Sequence, residues 1–317
     1  MEDVFLNPNM NIEDLIEVYG KIHGFNAGHL YEAIKILDEM LHEADLRFIS
    51  FTGNLVATGL RGILAQLIRE RIFNVVITTC GTIDHDVAKA LGGKYLRSSF
   101  DVNDVDLRKG GYHRIGNIIV HQEHYGKLIE DFTRNLISEL VKVRKRWGVR
   151  ELLYEVGLRL NDSKSILHNA SLNKVPVYVP GIVDGAFGTA LFIQSQFTGF
   201  ELDLFKDMKE LIDSVFTCKR SGALIIGGGI SKHHTLWWNQ FKDGLDYAVY
   251  ITTATEWDGS LSGARTREAI SWGKIRSGGK HVVVYCDATI AIPVIASHLI
   301  NRSRTSKLQR DLANVTT

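Results

Sequence analysis

Six short apolar runs alternate with amphipathic segments along the chain. They occupy residues 46–52, 74–79, 175–180, 222–227, 247–252 and 281–286, and most precede a glycine-bearing turn and a helical pattern. Because the runs are too apolar to leave one face in water, they favour strands of a parallel sheet buried between helices. The pattern therefore predicts a doubly wound α/β fold.

Helical periodicity fills the chain before the first strand and between the strands. Two helices are predicted at about 12–19 and 27–44, the second after the helix-start signal Asn26. Further helices are predicted from about 53 to 71, 84 to 91 and 126 to 147, whereas 92–125 is expected to be irregular. The expected architecture is a sheet of about six strands with helices on both faces and extra amino-terminal helices.

Composition indicates a single soluble domain. The chain has 317 residues, 4 prolines, no low-complexity linker and no visible repeat, so one domain over residues 1–317 is predicted. Its 37 basic and 36 acidic residues give a net charge of +1, which provides no global field for nucleic acid or an anionic membrane.

The cysteines and hydropathy indicate a cytoplasmic location. Cys80, Cys218 and Cys286 form no CxxC pair, which fits a reducing compartment. The amino terminus lacks the basic and apolar regions of a signal peptide, and the apolar window 281–300 is interrupted by polar residues. We therefore expect no transmembrane span.

A glycine-rich turn follows the fourth predicted strand. The segment GGGISKHH, residues 227–234, places consecutive glycines and two histidines where ligands bind in α/β proteins. It differs from the dinucleotide motif G-x-G-x-x-G because Lys232 replaces the third glycine. A plain tight turn is the alternative.

A second candidate site lies in residues 257–276. Glu268 and Trp272 share a helix face, and Lys274 follows where Gly273 would end the helix. A carboxylate beside an indole suits a cationic amine, and a lysine in an apolar pocket is a candidate imine-forming nucleophile. An exposed ion pair beside a core tryptophan is the alternative.

Other polar features give weaker signals. His121 and His124 have no third metal ligand and match no metalloprotease spacing, so no metal is expected. The basic run 142–146 is typical of a solvated helix end, and the polar groups after three strands suit either ribose hydroxyls or helix capping.

Ordered sequence blocks then resemble the deoxyhypusine synthase family. The blocks are GGGISKHH, DYAVYITTATEWDGSLSGAR, EAISWGKIR and VVVYCDA, preceded in order by SFTGNLVATGLRG, TTCG, RIGNIIV and VDGAFG. The resemblance covers about residues 9 to 298 and implies a Rossmann-like fold. It also implies a transferase that assembles as a homotetramer, with NAD bound and active sites at subunit interfaces.

The family resemblance implies a specific reaction. NAD takes a hydride from spermidine, the resulting imine passes its aminobutyl arm to an enzyme lysine, and diaminopropane leaves. The arm then moves to one lysine of translation initiation factor 5A, the first step of hypusine biosynthesis, and NADH returns the hydride.

Site residues carry over by position from the matched blocks. Lys274 is the implied nucleophile, and His233 the implied polyamine contact and proton carrier. The implied substrate-binding residues are Glu268, Trp272, Asp84, Gly259 and Ser260. The implied NAD-binding residues are Asn54, Thr79, Gly81, Asp184, Gly228, Thr253, Ala254, Asp287 and Ala288.

The amine pocket departs from the family pattern. Leu261 and Thr189 stand where spermidine-using members carry acidic residues, and Asp84-His85 replaces an acidic pair. These changes keep two alternatives open. One is a homospermidine-synthase-type enzyme that uses a free amine acceptor or another donor such as agmatine, and the other is a non-catalytic NAD-binding scaffold.

Overall fold

The computed structural model describes the main chain of residues 3–315 and the side chains of residues 3–305. The α-helices are α1 (Ile12–Ile22), α2 (Asn26–Glu43), α3 (Gly53–Ala57), α4 (Leu60–Arg69), α5 (Cys80–Ala90), α6 (Asp104–Lys109), α7 (Gly126–Val143), α8 (Val149–Arg159), α9 (Ile166–Leu172), α10 (Ala186–Thr198), α11 (Leu204–Thr217), α12 (Gly229–Asn239), α13 (Thr266–Ser271) and α14 (Ala288–Val315). The strands are β1 (Leu46–Phe51), β2 (Val75–Ile77), β3 (Tyr95–Arg97), β4 (Tyr112–Ile115), β5 (Ile118–His121), β6 (Arg146–Gly148), β7 (Val177–Tyr178), β8 (Glu201–Asp203), β9 (Ser221–Ile226), β10 (Leu245–Thr252) and β11 (Ile275–Tyr285).

The main sheet has six strands in the order β11-β10-β9-β1-β2-β7 and is flanked by helices. Strand β10 pairs in parallel with both β9 and β11, and β2 pairs in parallel with β7. All six residues of β9 are buried, as expected for a strand covered on both faces. The predicted α/β class and all six predicted strands are confirmed.

The chain forms two compact units. The first comprises residues 1–50, 70–75 and 212–317, and the second comprises residues 51–69 and 76–211. Within the first unit, α2 begins at Asn26, as predicted to within one residue. The Asn26 side chain does not cap that helix but donates to the Tyr285 carbonyl over 2.7 Å. The prediction of a single domain over 1–317 stays a prediction.

The second unit contains a small antiparallel sheet that the sequence did not predict. Strands β3, β5 and β4 pair within the segment expected to be irregular. The tight connection between β4 and β5 holds Gly116 at φ +59°, a conformation that glycine adopts without strain. The strands have three or four residues each, too short for a clear alternating pattern.

The long predicted helix 126–147 ends earlier than expected. Helix α7 stops at Val143, and Arg146–Gly148 instead form β6, which pairs in parallel with β8. Arg146 donates to Asp203 across this pair over 3.0 Å, a partner 57 residues away that local periodicity does not reveal.

In the part of the chain described by the structure, no helix combines the length and apolarity that a membrane crossing requires.

Candidate active site

In the first unit, predicted cofactor residues follow three neighbouring parallel strands. Gly228 lies after β9, Thr253 and Ala254 after β10, and Asp287 and Ala288 after β11. Ile226 of β9 is level with Ile251 of β10, whose next residue, Thr252, is level with Tyr285 of β11. The strands therefore end at one edge of the sheet, where α/β proteins bind ligands.

The turn after β9 requires its glycines. Gly227 and Gly229 have φ values of +82° and +62°. A Cβ atom on Gly228 would lie 2.0 Å from Ser262 Oγ, so only glycine lets the 255–265 segment pack this closely. We call residues 255–265 the substrate loop, because the predicted substrate residues Gly259 and Ser260 lie in it.

Lys274 lies at the junction between α13 and β11. Gly273 ends the helical turn with φ +66°, as its sequence position predicted, and the chain then enters β11 at Ile275. Lys274 is only 9% exposed. Its Nζ lies 5.0 Å from the Trp272 ring centroid and 5.7 Å from that of Trp237, an arrangement suited to cation–π attraction.

His233 lies beside the lysine. Its ring stacks on Trp237, one helical turn further along α12, with a centroid separation of 5.5 Å and an interplanar angle of 21°. Partial burial, and secondarily the charge of Lys274, lower the pKa of His233 below its usual 6.5. The imidazole is therefore neutral at pH 7 and able to accept a proton.

The second histidine of the motif has a different environment. His234 accepts a hydrogen bond from Trp238 Nε1 over 3.0 Å, and burial lowers its pKa to about 4. Of the two histidines, His233 has the exposed side chain that a ligand could reach, and its predicted role stays a prediction.

Four of the five predicted amine-binding residues lie in the first unit, at the two ends of α13 and in the substrate loop, and Trp272 is the one in contact range of Lys274. Glu268 is exposed in the first turn of α13, and Trp272 is 64% exposed at its end. Gly259 and Ser260 are exposed in the loop, where the Ser260 backbone N–H donates to Asp258 over 2.7 Å. Leu261 is half-buried in the same loop.

In the second unit, predicted cofactor residues also follow strands. Asn54 lies in α3 after β1, Thr79 and Gly81 follow β2, and Asp184 follows β7. The Gly53 N–H donates to Thr79 Oγ1 over 3.1 Å, and a Cβ on Gly53 would lie 2.5 Å from the Gly81 carbonyl carbon. The two turns therefore pack backbone against backbone.

Asp84 has a structural environment that its sequence position did not reveal. It is 1% exposed, and its carboxylate accepts the Ala186 and Phe187 N–H groups at 3.1 and 2.7 Å and the Tyr125 hydroxyl at 3.0 Å. Burial raises the pKa of Asp84 above its ordinary value. The carboxylate caps the amino terminus of α10, so its predicted contact with substrate stays a prediction.

Thr189, the other position that lacks a family carboxylate, is an exposed residue of α10. Its hydroxyl donates to the Gly185 carbonyl over 2.9 Å.

Two first-unit residues have environments that the sequence did not predict. Trp237 completes the aromatic surroundings of Lys274, and its i, i+4 spacing from His233 was the available signal. Lys232 is 1% exposed although it lies in a motif of polar residues. No local pattern predicts that burial.

The histidine pair set aside in the sequence lies in the second unit. The rings of His121 and His124 are 6.4 Å apart, and among the described residues no group of three or more potential ligands is arranged to hold a metal.

Comparison with known proteins assigns this α/β enzyme to a family. The deoxyhypusine synthase family model matches residues 14–299. Proteins named probable deoxyhypusine synthase from Sulfolobus acidocaldarius and Aeropyrum pernix are 56% and 53% identical, each over 95% of this chain and 96% and 98% of their own lengths. The solved Entamoeba histolytica structure that carries the deoxyhypusine synthase name has a TM-score of 0.65 over 94% of this chain and 96% of its own, and at 21% identity it shows the fold alone.

The fold and the matched relatives define the class, an α/β transferase. The chain belongs to the deoxyhypusine synthase family.

Proposed function

We propose that this protein is an NAD-dependent deoxyhypusine synthase of the cytoplasm. It would transfer the aminobutyl group of spermidine to a lysine of translation initiation factor 5A through an imine on Lys274. The observation that carries the proposal is the burial of Lys274 between two indole rings with His233 beside it.

The residues around Lys274 fit amine chemistry. Trp272 and Trp237 attract cationic amines through their ring faces, and Glu268 supplies a carboxylate on the adjoining helix. No hydrogen bond to Lys274 Nζ is found among the described side chains, so its lone pair is not engaged once the proton leaves. The neutral His233 imidazole, which feels the charge of Lys274, would take that proton.

The strand-end residues fit a dinucleotide. Asp287 and Thr253 are exposed beyond β11 and β10, and no atom lies within 4 Å of the position of a Cβ on Gly229, so a ligand could approach this backbone closely. Carboxylates at strand ends commonly bind ribose hydroxyls.

In the first unit, Gly228, Thr253, Ala254, Asp287 and Ala288 would hold NAD. The same proposal assigns Asn54, Thr79, Gly81 and Asp184 of the second unit to the cofactor. When bound, NAD would accept a hydride from the carbon beside the substrate amine and later return it.

Exposed apolar side chains support the proposed homotetramer. On α10, Ile193 and Phe197 lie one turn apart and are 39% and 83% exposed, and Phe205 of α11 is 77% exposed. Large apolar side chains left in water are typical of surfaces that a second copy covers. In the first unit, Trp257 of the substrate loop and Trp272, whose ring centroid lies 5.0 Å from Lys274 Nζ, are likewise 78% and 64% exposed, as expected for an active site completed at a subunit interface.

Substitution of the nucleophile tests the mechanism. The variant Lys274→Ala removes the amine that lies near both indoles and should abolish transfer of the aminobutyl group to factor 5A. Borohydride reduction with NAD and spermidine should add mass at Lys274 in the wild type and give no adduct in the variant. The matched control Lys280→Ala, an exposed lysine of β11, should retain both. Wild-type transfer by Lys274→Ala would overturn the assignment.

The half-buried Leu261 and exposed Thr189 favour a second candidate, an aminobutyltransferase with another donor or a free amine acceptor. Mass spectrometry of reactions offered spermidine, putrescine or agmatine separates the candidates by product. If no amine yields either product or adduct, the non-catalytic NAD-binding scaffold is the better description.

A further inference from the structure

Lys232 is a buried cation with one hydrogen-bond acceptor among the described residues. It lies in the first turn of α12 and is 1% exposed. Its Nζ lies 4.2 Å from the Tyr250 ring centroid and donates to the Ala264 carbonyl over 2.8 Å. Burying a lysine is costly, so a lysine retained there needs a compensating role.

The accepting carbonyl lies at the end of the substrate loop. Ala264 immediately precedes Arg265, which caps α13, the helix that carries Glu268 and leads to Lys274. Two other contacts hold the loop at Ser262, two residues before Ala264. Thr252 Oγ1 donates to the Ser262 carbonyl over 3.2 Å, and Ser262 packs against the bare Gly228 backbone.

Lys232 is the charged member of this set of contacts and directly precedes His233 in the sequence. Its ammonium is favoured by the nearby Glu268 carboxylate, although burial is the larger effect and lowers the pKa of Lys232 to about 8. The group is therefore still charged at pH 7, and a charged donor gives the stronger kind of hydrogen bond.

Resting on the function proposed above, we propose that Lys232 is a positioning residue. Through the Ala264 carbonyl it would hold the substrate loop and the start of α13 in register with His233. It would not touch substrate. Its role would be to keep the amine-binding residues on α13 and the histidine on α12 at a fixed separation.

Hydrogen exchange tests this proposal without any substrate. The variant Lys232→Met keeps the length of the side chain and removes the ammonium. Its 255–265 peptide should exchange at least about tenfold faster than in the wild type, because the loss of a charged hydrogen bond lowers amide protection by about that factor. Peptides of β9 and β10 should be unchanged. Lys280→Met is the matched control and should leave the loop protected. Unchanged loop exchange in Lys232→Met would overturn the proposal.

A second variant covers the case in which Lys232→Met does not fold. Lys232→Gln retains a polar group that is too short to replace the bond to Ala264, and it should also expose the loop. Loop exchange equal to the wild type in whichever variant folds contradicts the proposed contact.

Kinetics give a readout that a general loss of stability would not produce. With the loop loosened, KM for the amine donor should rise about tenfold or more, while the adduct on Lys274 at saturating amine still forms. Equal losses of adduct, cofactor binding and thermal stability would show a purely structural role and overturn the positioning role. If the wild type forms no adduct with any amine, the function proposed above fails, and the exchange experiment still decides the loop contact.

Discussion

Lys274 and Lys232 are both buried lysines of the first unit, and their contacts separate their roles. Lys232 donates to a backbone carbonyl, whereas Lys274 is surrounded by aromatic faces and has no such acceptor among the described residues. An amine bound to a carbonyl is held in place, and an amine that faces indole rings is free to react once deprotonated. These environments support the two proposed roles, positioning for Lys232 and nucleophilic for Lys274.

The titration of His233 tests whether its imidazole is influenced by Lys274. Because burial and the charge of Lys274 both lower the pKa of His233, its NMR titration midpoint should fall below 6.5, and activity that needs the neutral ring should persist below pH 6.5. In Lys274→Ala the neighbouring charge is absent, so the midpoint of His233 should rise toward 6.5. An unchanged midpoint in that variant would show that Lys274 does not act on this imidazole.

At the element scale, one buried carboxylate determines how α10 begins. Asp84 of α5 accepts the first free N–H groups of α10 from more than 100 residues away. Gly185 allows the Asp84 carboxylate to lie this close to the start of α10, since a Cβ on Gly185 would lie 2.7 Å from both Asp84 Oδ2 and Cys80 Sγ.

Removal of this cap should destabilise the fold. Asp84→Ala leaves two buried N–H groups and the Tyr125 hydroxyl without their acceptor, so the free energy of unfolding should fall by about 1–3 kcal/mol. Asp84→Asn keeps one acceptor oxygen and should recover part of the loss. Denaturant unfolding measures both, with the exposed Asp101→Ala as a control that should change little. Wild-type stability of Asp84→Ala would exclude the capping role.

Elements were predictable where the signal was local and strong. The main strands appear as buried apolar runs, and Gly273 ends its helix as predicted. The small sheet and the β6–β8 pair were not predictable, because strands of three or four residues are stabilised by partners distant in sequence rather than by their own pattern.

At the scale of the whole molecule, α10 carries apolar side chains that are exposed in an isolated chain. If the proposed homotetramer covers this surface, Phe197→Asp should place a charge in the interface and dissociate the assembly into smaller species. Size-exclusion chromatography with light scattering measures the mass. Val143→Asp, a substitution of the same kind on α7 at a position that is 75% exposed, should leave the assembly intact. A Phe197→Asp variant with wild-type mass would place the interface elsewhere.

The sequence by itself determined the α/β class, the six main strands and the family, because a buried strand or a sequence motif depends on residues that are neighbours along the chain. It also identified Lys274, His233 and the strand-end polar residues as a candidate site. Only the tertiary structure decided which polar residues serve the fold and which remain available. Asp84 caps α10, His234 accepts from Trp238, Lys232 binds the substrate loop, and Trp237 lies beside Lys274. These outcomes depend on burial and on partners from other parts of the chain, which no local pattern contains.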